Sequence, residues 1–291
     1  MILVTGANGF VGSRLCHELA DREVEVRALV RRAGTAPDRD GVTEVVGEFD
    51  DPDAAPGFVD GVDAVVTTVA PMGADQETQH RVSVDGTTML AAVARDAGVG
   101  RLVHVSTCAV YDRDPEQGDV DETSAYVDDD GGAYAVTKRD ADLELAELDG
   151  ITRVLVRPPA IMGPGPTSVW NTLRPARLEE DPSSLAPNPD QTFAWVHVDD
   201  LARFLADVAT GVATPGPADG DVTAVNVAAP DATWRDYLEP VATALGVEPT
   251  WSDEPAWTGR IIAERARSWG WTPTVTLEQA IRELVDDLDD R

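Results

Sequence analysis

The chain has 291 residues, with 53 Asp+Glu against 23 Lys+Arg and a formal charge of −30. That balance excludes sequence-independent binding to nucleic acid or to an anionic membrane surface, since both require basic patches. With 43% hydrophobic and 26% charged residues, the composition is that of a globular chain able to bury a real core.

Ile2–Thr5 reads as a buried strand and 11–20 as a helix with Val11, Leu15 and Leu19 on one face. Strands are expected at 24–30, 42–46, 63–69, 102–106 and 152–156, with helices over 79–97 and 133–148 between them. This alternation predicts an α/β fold, a Rossmann-type doubly wound parallel sheet covered on both faces. After Arg157 the chain becomes proline-rich as far as about Gln191. A strand over 193–198, a helix over 200–210, a strand over 222–227 and amphipathic helices over 233–245 and 277–288 follow. Residues 1–157, completed by about 192–227, are expected to form the dinucleotide-binding domain. Residues 158–191 and 228–291 would form a smaller substrate lobe at the sheet's C-terminal edge.

Thr5-Gly6-Ala7-Asn8-Gly9-Phe10-Val11-Gly12 lies between the first strand and the first helix. Glycines three apart allow a sharp turn and bring backbone N–H groups close to a pyrophosphate at a helix N-terminus. Gly6, Asn8, Gly9, Phe10, Val11 and Gly12 are therefore expected cofactor contacts. The second strand ends in Arg31-Arg32, with no carboxylate there to bond a ribose 2′-hydroxyl. Two arginines suit a 2′-phosphate, so NADP is the expected cofactor, with NAD the alternative. A solvated basic loop is the plain structural reading of the same pair.

Tyr134-Ala135-Val136-Thr137-Lys138 opens a helix, and the i, i+4 spacing puts both side chains on one face. Lys138 is the only lysine in the chain. A free tyrosine is a poor base at neutral pH, and a nearby ammonium favours its phenolate. The pair can therefore exchange a proton with an alcohol or carbonyl oxygen while hydride moves. Ser106-Thr107 ends the fifth strand, where a hydroxyl can hold the substrate oxygen; Thr107 is the first candidate and Ser106 the second. The expected catalytic set is Tyr134, Lys138 and Thr107. The four histidines and two cysteines have no metal-ligand spacing, so no metal is expected. His197-Val198-Asp199-Asp200 reads as a strand end followed by an Asp helix cap.

Together these motifs resemble the extended short-chain dehydrogenase/reductase family, also called the NAD-dependent epimerase/dehydratase family. The resemblance takes in the glycine turn, Gly47-Glu48-Phe49-Asp50, Val84-Asp85-Gly86-Thr87, Ser106-Thr107 and Tyr134–Lys138. It continues through Arg157-Pro158, Gly163-Pro164, Trp195–Ala202 and Gly270-Trp271-Thr272-Pro273. It implies cofactor contacts at Glu48, Phe49, Val69, Ala70, Arg157 and Pro158, and often a homodimer built through a helix bundle. A soluble, cytoplasmic enzyme with a small-molecule substrate is the corresponding expectation.

Departures from the family pattern narrow the substrate. Ser83 stands where an Asn is common. Ala160 and Phe193 stand where nucleotide-sugar members carry the Asn and Arg that hold the diphosphate. Cys108-Ala109 replaces the Asp-Glu of the dehydratases. An alcohol/carbonyl oxidoreductase with a small, non-nucleotide substrate is the leading expectation. Ser106, Cys108, Ala160, Trp170 and Phe193 are its candidate substrate contacts, with Trp170 and Phe193 reading equally as lobe–lobe core and Cys108 more readily as a small packed hydrophobe. A sugar epimerase with tightly held cofactor is the alternative, and a redox-sensing regulatory protein is the alternative of another class.

Overall fold

The computed structural model describes residues 1–71 and 73–289, with only the backbone of Asp289. The chain begins with β1 (Ile2–Thr5), α1 (Phe10–Asp21), β2 (Val26–Val30), β3 (Val42–Val46), α2 (Ala55–Val59) and β4 (Ala64–Thr67). Next come α3 (Gln76–His80), α4 (Gly86–Asp96), β5 (Arg101–Val105), α5 (Ala133–Glu147), β6 (Thr152–Arg157) and β7 (Ala160–Met162). The remainder is α6 (Arg174–Glu180), β8 (Thr192–Phe193), β9 (Trp195–His197), α7 (Val198–Thr210), β10 (Val222–Asn226) and β11 (Ala232–Thr233). Helices α8 (Trp234–Leu245), α9 (Glu264–Ser268) and α10 (Leu277–Asp289) end the described chain.

Seven strands form one parallel sheet in the order β10-β6-β5-β4-β1-β2-β3. The order reverses between β1 and β4, which opens a crevice above their C-terminal ends. Strand periodicity divides the side chains between two cores. Ile2, Val4, Val103, Val105, Val154 and Val156 face one side, where Leu15, Leu19, Leu201, Phe204 and Leu205 from α1 and α7 cover them. Leu3, Leu102 and Leu155 face the other, under Phe58, Leu90, Ala91 and Leu145 from α2, α4 and α5. Each fully buried Leu or Val contributes roughly 1.5–3 kcal/mol relative to exposure, so both faces hold the strand ends rigid. A third core, with Phe193, Trp195, Tyr237, Leu238 and Leu284, belongs to the small lobe.

Several boundaries differ from the sequence reading, each for a local reason. The expected helix over 79–97 is broken into α3, a π-helical turn at Arg81–Asp85, and α4. At Gly86 a Cβ would lie 2.7 Å from Cβ of Asp50, so the chain passes too close for any side chain. The second strand starts at Val26, because Glu23 adopts φ 60° and the Val24 N–H turns back to the Leu19 carbonyl. The segment 193–198 is not one strand of the main sheet. Its residues divide between β8, paired with β11, and β9, paired with β7, while Val198 already starts α7. The expected Asp cap of α7 is corrected too: the His197 side chain accepts the Asp199 N–H. Asp200 is fully buried and accepts from the backbone N–H groups of Thr274 and Val275, tying the Gly270–Pro273 segment to α7.

Candidate active site

The glycine turn joins β1 to α1 at the edge of the crevice. Gly6 has φ 65°, a left-handed conformation that favours glycine. At Gly12 a Cβ would stand 2.2 Å from the Gly6 carbonyl oxygen, so only glycine lets the helix lie against the turn. Helix α1 starts at Gly9 with no side-chain cap and no acid in its first turn. Its first N–H groups are thus available to an anion, and the cradle fits the pyrophosphate of a dinucleotide. Asn8 is exposed and its amide donates to the Thr35 hydroxyl, while Phe10 packs towards Gly165. Val11 packs on the first core.

The loop after β2 carries Arg31 and Arg32, both exposed. Glu44 on β3 shapes it by accepting the N–H groups of Gly34, Thr35 and Ala36 at 2.9–3.0 Å. The carboxylate of this neighbouring strand is therefore spent on the loop backbone. Neither arginine side chain has a hydrogen bond or ion pair with any described residue. Glu48 is exposed and Phe49 is buried, its ring close to Gly86. Val69 is half-buried beside Gly6, and Ala70 opens into the next part of the site.

A small cavity is lined by Ala70, Pro71, Gln79, Ser83, Tyr134, Thr137 and Lys138. The π-helical turn carries Ser83 into this wall, a placement that depends on the broken helix. Lys138 is 3% exposed and donates to the Val105 carbonyl at 2.9 Å. Burial brings its ammonium down to about 8, with Asp142 opposing the shift. Tyr134 is 38% exposed and lines this cavity together with Lys138. Burial is the main cause that raises its pKa, and Thr107 opposes the rise. Thr107 follows the end of β5, two residues beyond the Val105 carbonyl that holds Lys138.

Behind this trio lies a buried polar network that sequence reading missed. Asp142, one turn beyond Lys138 on α5, is fully buried and bonds the Arg157 guanidinium at 2.9 Å. Burial raises the Asp142 pKa, while Arg157, Ser106 and Lys138 oppose that rise. Arg157 also donates to the hydroxyls of Tyr111 and Tyr126 and lies 5.1 Å from both ring centroids. Tyr111 in turn donates to Asn226 on β10 at 2.7 Å. Burial works against the Arg157 charge, but Asp142 and the two phenols outweigh it, so its pKa is raised. The spacing of Asp142 from Lys138 was the only signal of this network in the sequence.

Each nitrogen of the Arg157 guanidinium is bonded to Asp142, Tyr111 or Tyr126, which holds the side chain in the interior. Pro158 is buried and its carbonyl accepts the Cys108 N–H. Ser106 is 3% exposed, and its hydroxyl has no hydrogen-bond partner among the described residues. Cys108 is fully buried, with its thiol pushed up to about 12 by burial and donating to the Arg157 carbonyl. Phe193 is 2% exposed and stacks on Tyr237 at 4.5 Å, with Trp170 edge-on at 5.0 Å; both belong to the small-lobe core. Ala160 packs on the same core. Among the described residues no group of three His, Cys, Asp or Glu could hold a metal ion.

A glycine turn at the sheet's switch point, with Tyr134 and Lys138 lining a cavity near it, is the arrangement of a dinucleotide-binding fold. The chain belongs to the NAD dependent epimerase/dehydratase family, whose profile matches residues 2–225. It is an NAD(P)-dependent oxidoreductase or epimerase acting on a small molecule. The chain is 34% identical over 227 residues to the 2-alkyl-3-oxoalkanoate reductase of Stenotrophomonas maltophilia, covering 75% of this chain and 68% of that protein. It is 29% identical over 257 residues to a 3 beta-hydroxysteroid dehydrogenase/Delta 5-->4-isomerase of Mycobacterium tuberculosis, covering 84% and 69%. The UDP-glucose 4-epimerase of Thermus thermophilus, solved with NAD, shares the fold with a TM-score of 0.75 at 23% identity, over 99% of this chain and 98% of that one. No helix among the described residues is long and apolar enough to cross a membrane.

Proposed function

We propose that this enzyme is an NADP-preferring reductase of a carbonyl carbon in a small, non-nucleotide substrate. The observation that carries the reading is the cavity that Tyr134 and the buried Lys138 line together, with Lys138 held on the Val105 carbonyl just before Thr107. When bound, the nicotinamide supplies or accepts the hydride. Thr107 and Tyr134 hold the substrate oxygen between them, and Tyr134 gives it a proton as negative charge develops there. A tyrosine is protonated at neutral pH, and burial moves Tyr134 further in that direction, which suits reduction. Lys138 holds positive charge beside the phenol and has donors left for ribose hydroxyls.

Arg31 and Arg32 support NADP, because two exposed guanidinium groups with no hydrogen bond or ion pair to any described residue follow the second strand, whose end carries the ribose-reading residue in such folds. Alkyl-oxoalkanoate and steroid chemistry in the two relatives supports an apolar substrate. A helix-bundle homodimer, with Leu143 of α5 46% exposed, and a cytoplasmic location belong to the same reading. The test is NADPH consumption, followed by its near-ultraviolet absorbance, with medium-chain β-oxo acids and steroid ketones. Net loss of absorbance with the wild type and none with Tyr134→Phe is the expected result. Interconversion of sugar epimers with no net change would establish the epimerase reading in its place.

A further inference from the structure

Neither an ion pair nor a hydrogen bond joins the Arg113 side chain to any described residue. Its neighbours in sequence are Asp112 and Asp114. The Asp112 carboxylate is taken by the Asp114 N–H and the Gln117 amide. The Arg113 guanidinium lies instead over the Trp257 indole, 5.6 Å from its centroid. Trp257 is 3% exposed, and its N–H is spent on the Gly118 carbonyl.

Trp257 shares an apolar cluster with Cys108, Val110, Tyr111 and Ala194. Cys108 follows Thr107 directly, so this cluster borders the catalytic hydroxyls. The charge of Arg113 reaches the Cys108 thiol, and Tyr134 feels the same thiol. Arg113 is exposed by area, yet the protein around it desolvates the guanidinium and lowers its pKa. Glu122, the acid whose charge reaches Cys108, accepts the Asn226 N–H.

We propose that Arg113 receives the carboxylate of an oxo-acid substrate whose carbonyl oxygen lies between Thr107 and Tyr134. This inference rests on the carbonyl-reductase reading and names its substrate class. A guanidinium stacked on an indole keeps its in-plane N–H donors free, and two of them match a carboxylate bidentately. One unpaired arginine balances one negative charge, so a monoanion fits where a diphosphate would leave charge uncompensated.

The test compares wild type, Arg113→Ala and Arg113→Lys, each saturated with NADPH. Turnover is measured with β-oxodecanoate and its methyl ester, and binding is measured by calorimetry with decanoate. Loss of a charge-assisted hydrogen bond predicts that the acid-to-ester ratio of kcat/KM falls about 30-fold in Arg113→Ala, with decanoate affinity falling alongside. Arg113→Lys should recover part of both. An unchanged ratio with active enzyme, or decanoate binding indifferent to Arg113, overturns the inference and leaves carbonyl reduction standing. Arg113-dependent decanoate binding without turnover of either probe upholds the anion site and removes the reductase reading.

Discussion

The interior behind Tyr134 and the rim of the crevice use arginine in opposite ways. In the interior, Arg157 is fully engaged by a carboxylate and two phenols and is 1% exposed. Nearer the surface, Arg31, Arg32 and Arg113 are exposed and have no hydrogen bond or ion pair with any described residue, and Arg113 has only its stacking on Trp257. A guanidinium whose donors are used holds the fold together. One whose donors are unused, in so acidic a chain, is available to a ligand. Lys138 lies between the two cases: it is buried, tethered by one bond to Val105, and has donors to spare.

The comparison can be broken from either end. Tyr134→Phe removes the proton donor and should lower kcat about 10³-fold with folding intact, within the range for general acid–base catalysis. A residual rate within tenfold of wild type would detach the trio from the chemistry. Arg157→Ala leaves Asp142 buried without its cation and should cost about 3–5 kcal/mol in urea unfolding. A loss under about 1 kcal/mol would show that the interior arginine is not structural. Arg31→Asp acts on the rim and should weaken NADPH about 50-fold while sparing NADH, the effect of losing a charge-assisted bond. Equal affinity of the wild type for the two cofactors would remove the basis for that assignment.

The smallest effect concerns Lys138. Its ammonium is protonated below pH about 8 and loses its charge as pH rises through that value. Reductive kcat/KM should therefore be flat near neutrality and fall about tenfold per unit well above pH 8, since this parameter reports groups of the free enzyme. A profile flat to pH about 10 would place the Lys138 titration elsewhere.

How much could be read in advance follows from the range of the interactions. The glycine turn, the alternation of strands and the Tyr134–Lys138 pair are local, so spacing alone exposed them. The break at Gly86 depends on Asp50, 36 residues earlier. The commitment of Arg157 depends on Tyr111, Tyr126 and Asn226, which meet only when the sheet assembles. Phe193 and Trp170 were legible as an aromatic group, but only packing on Tyr237 put them in a core. The exposure of Arg113 over Trp257 spans 144 residues and left no local mark.

The central claim is that Thr107, Tyr134 and Lys138 serve direct reduction of a carbonyl carbon. The most direct measurement uses NADPH deuterated stereospecifically at its transferring carbon, with mass spectrometry of the alcohol product. The account predicts a single deuterium at the former carbonyl carbon with the wild-type enzyme and no product with Tyr134→Phe. Alcohol formed without deuterium from either stereoisomer of the cofactor would contradict it.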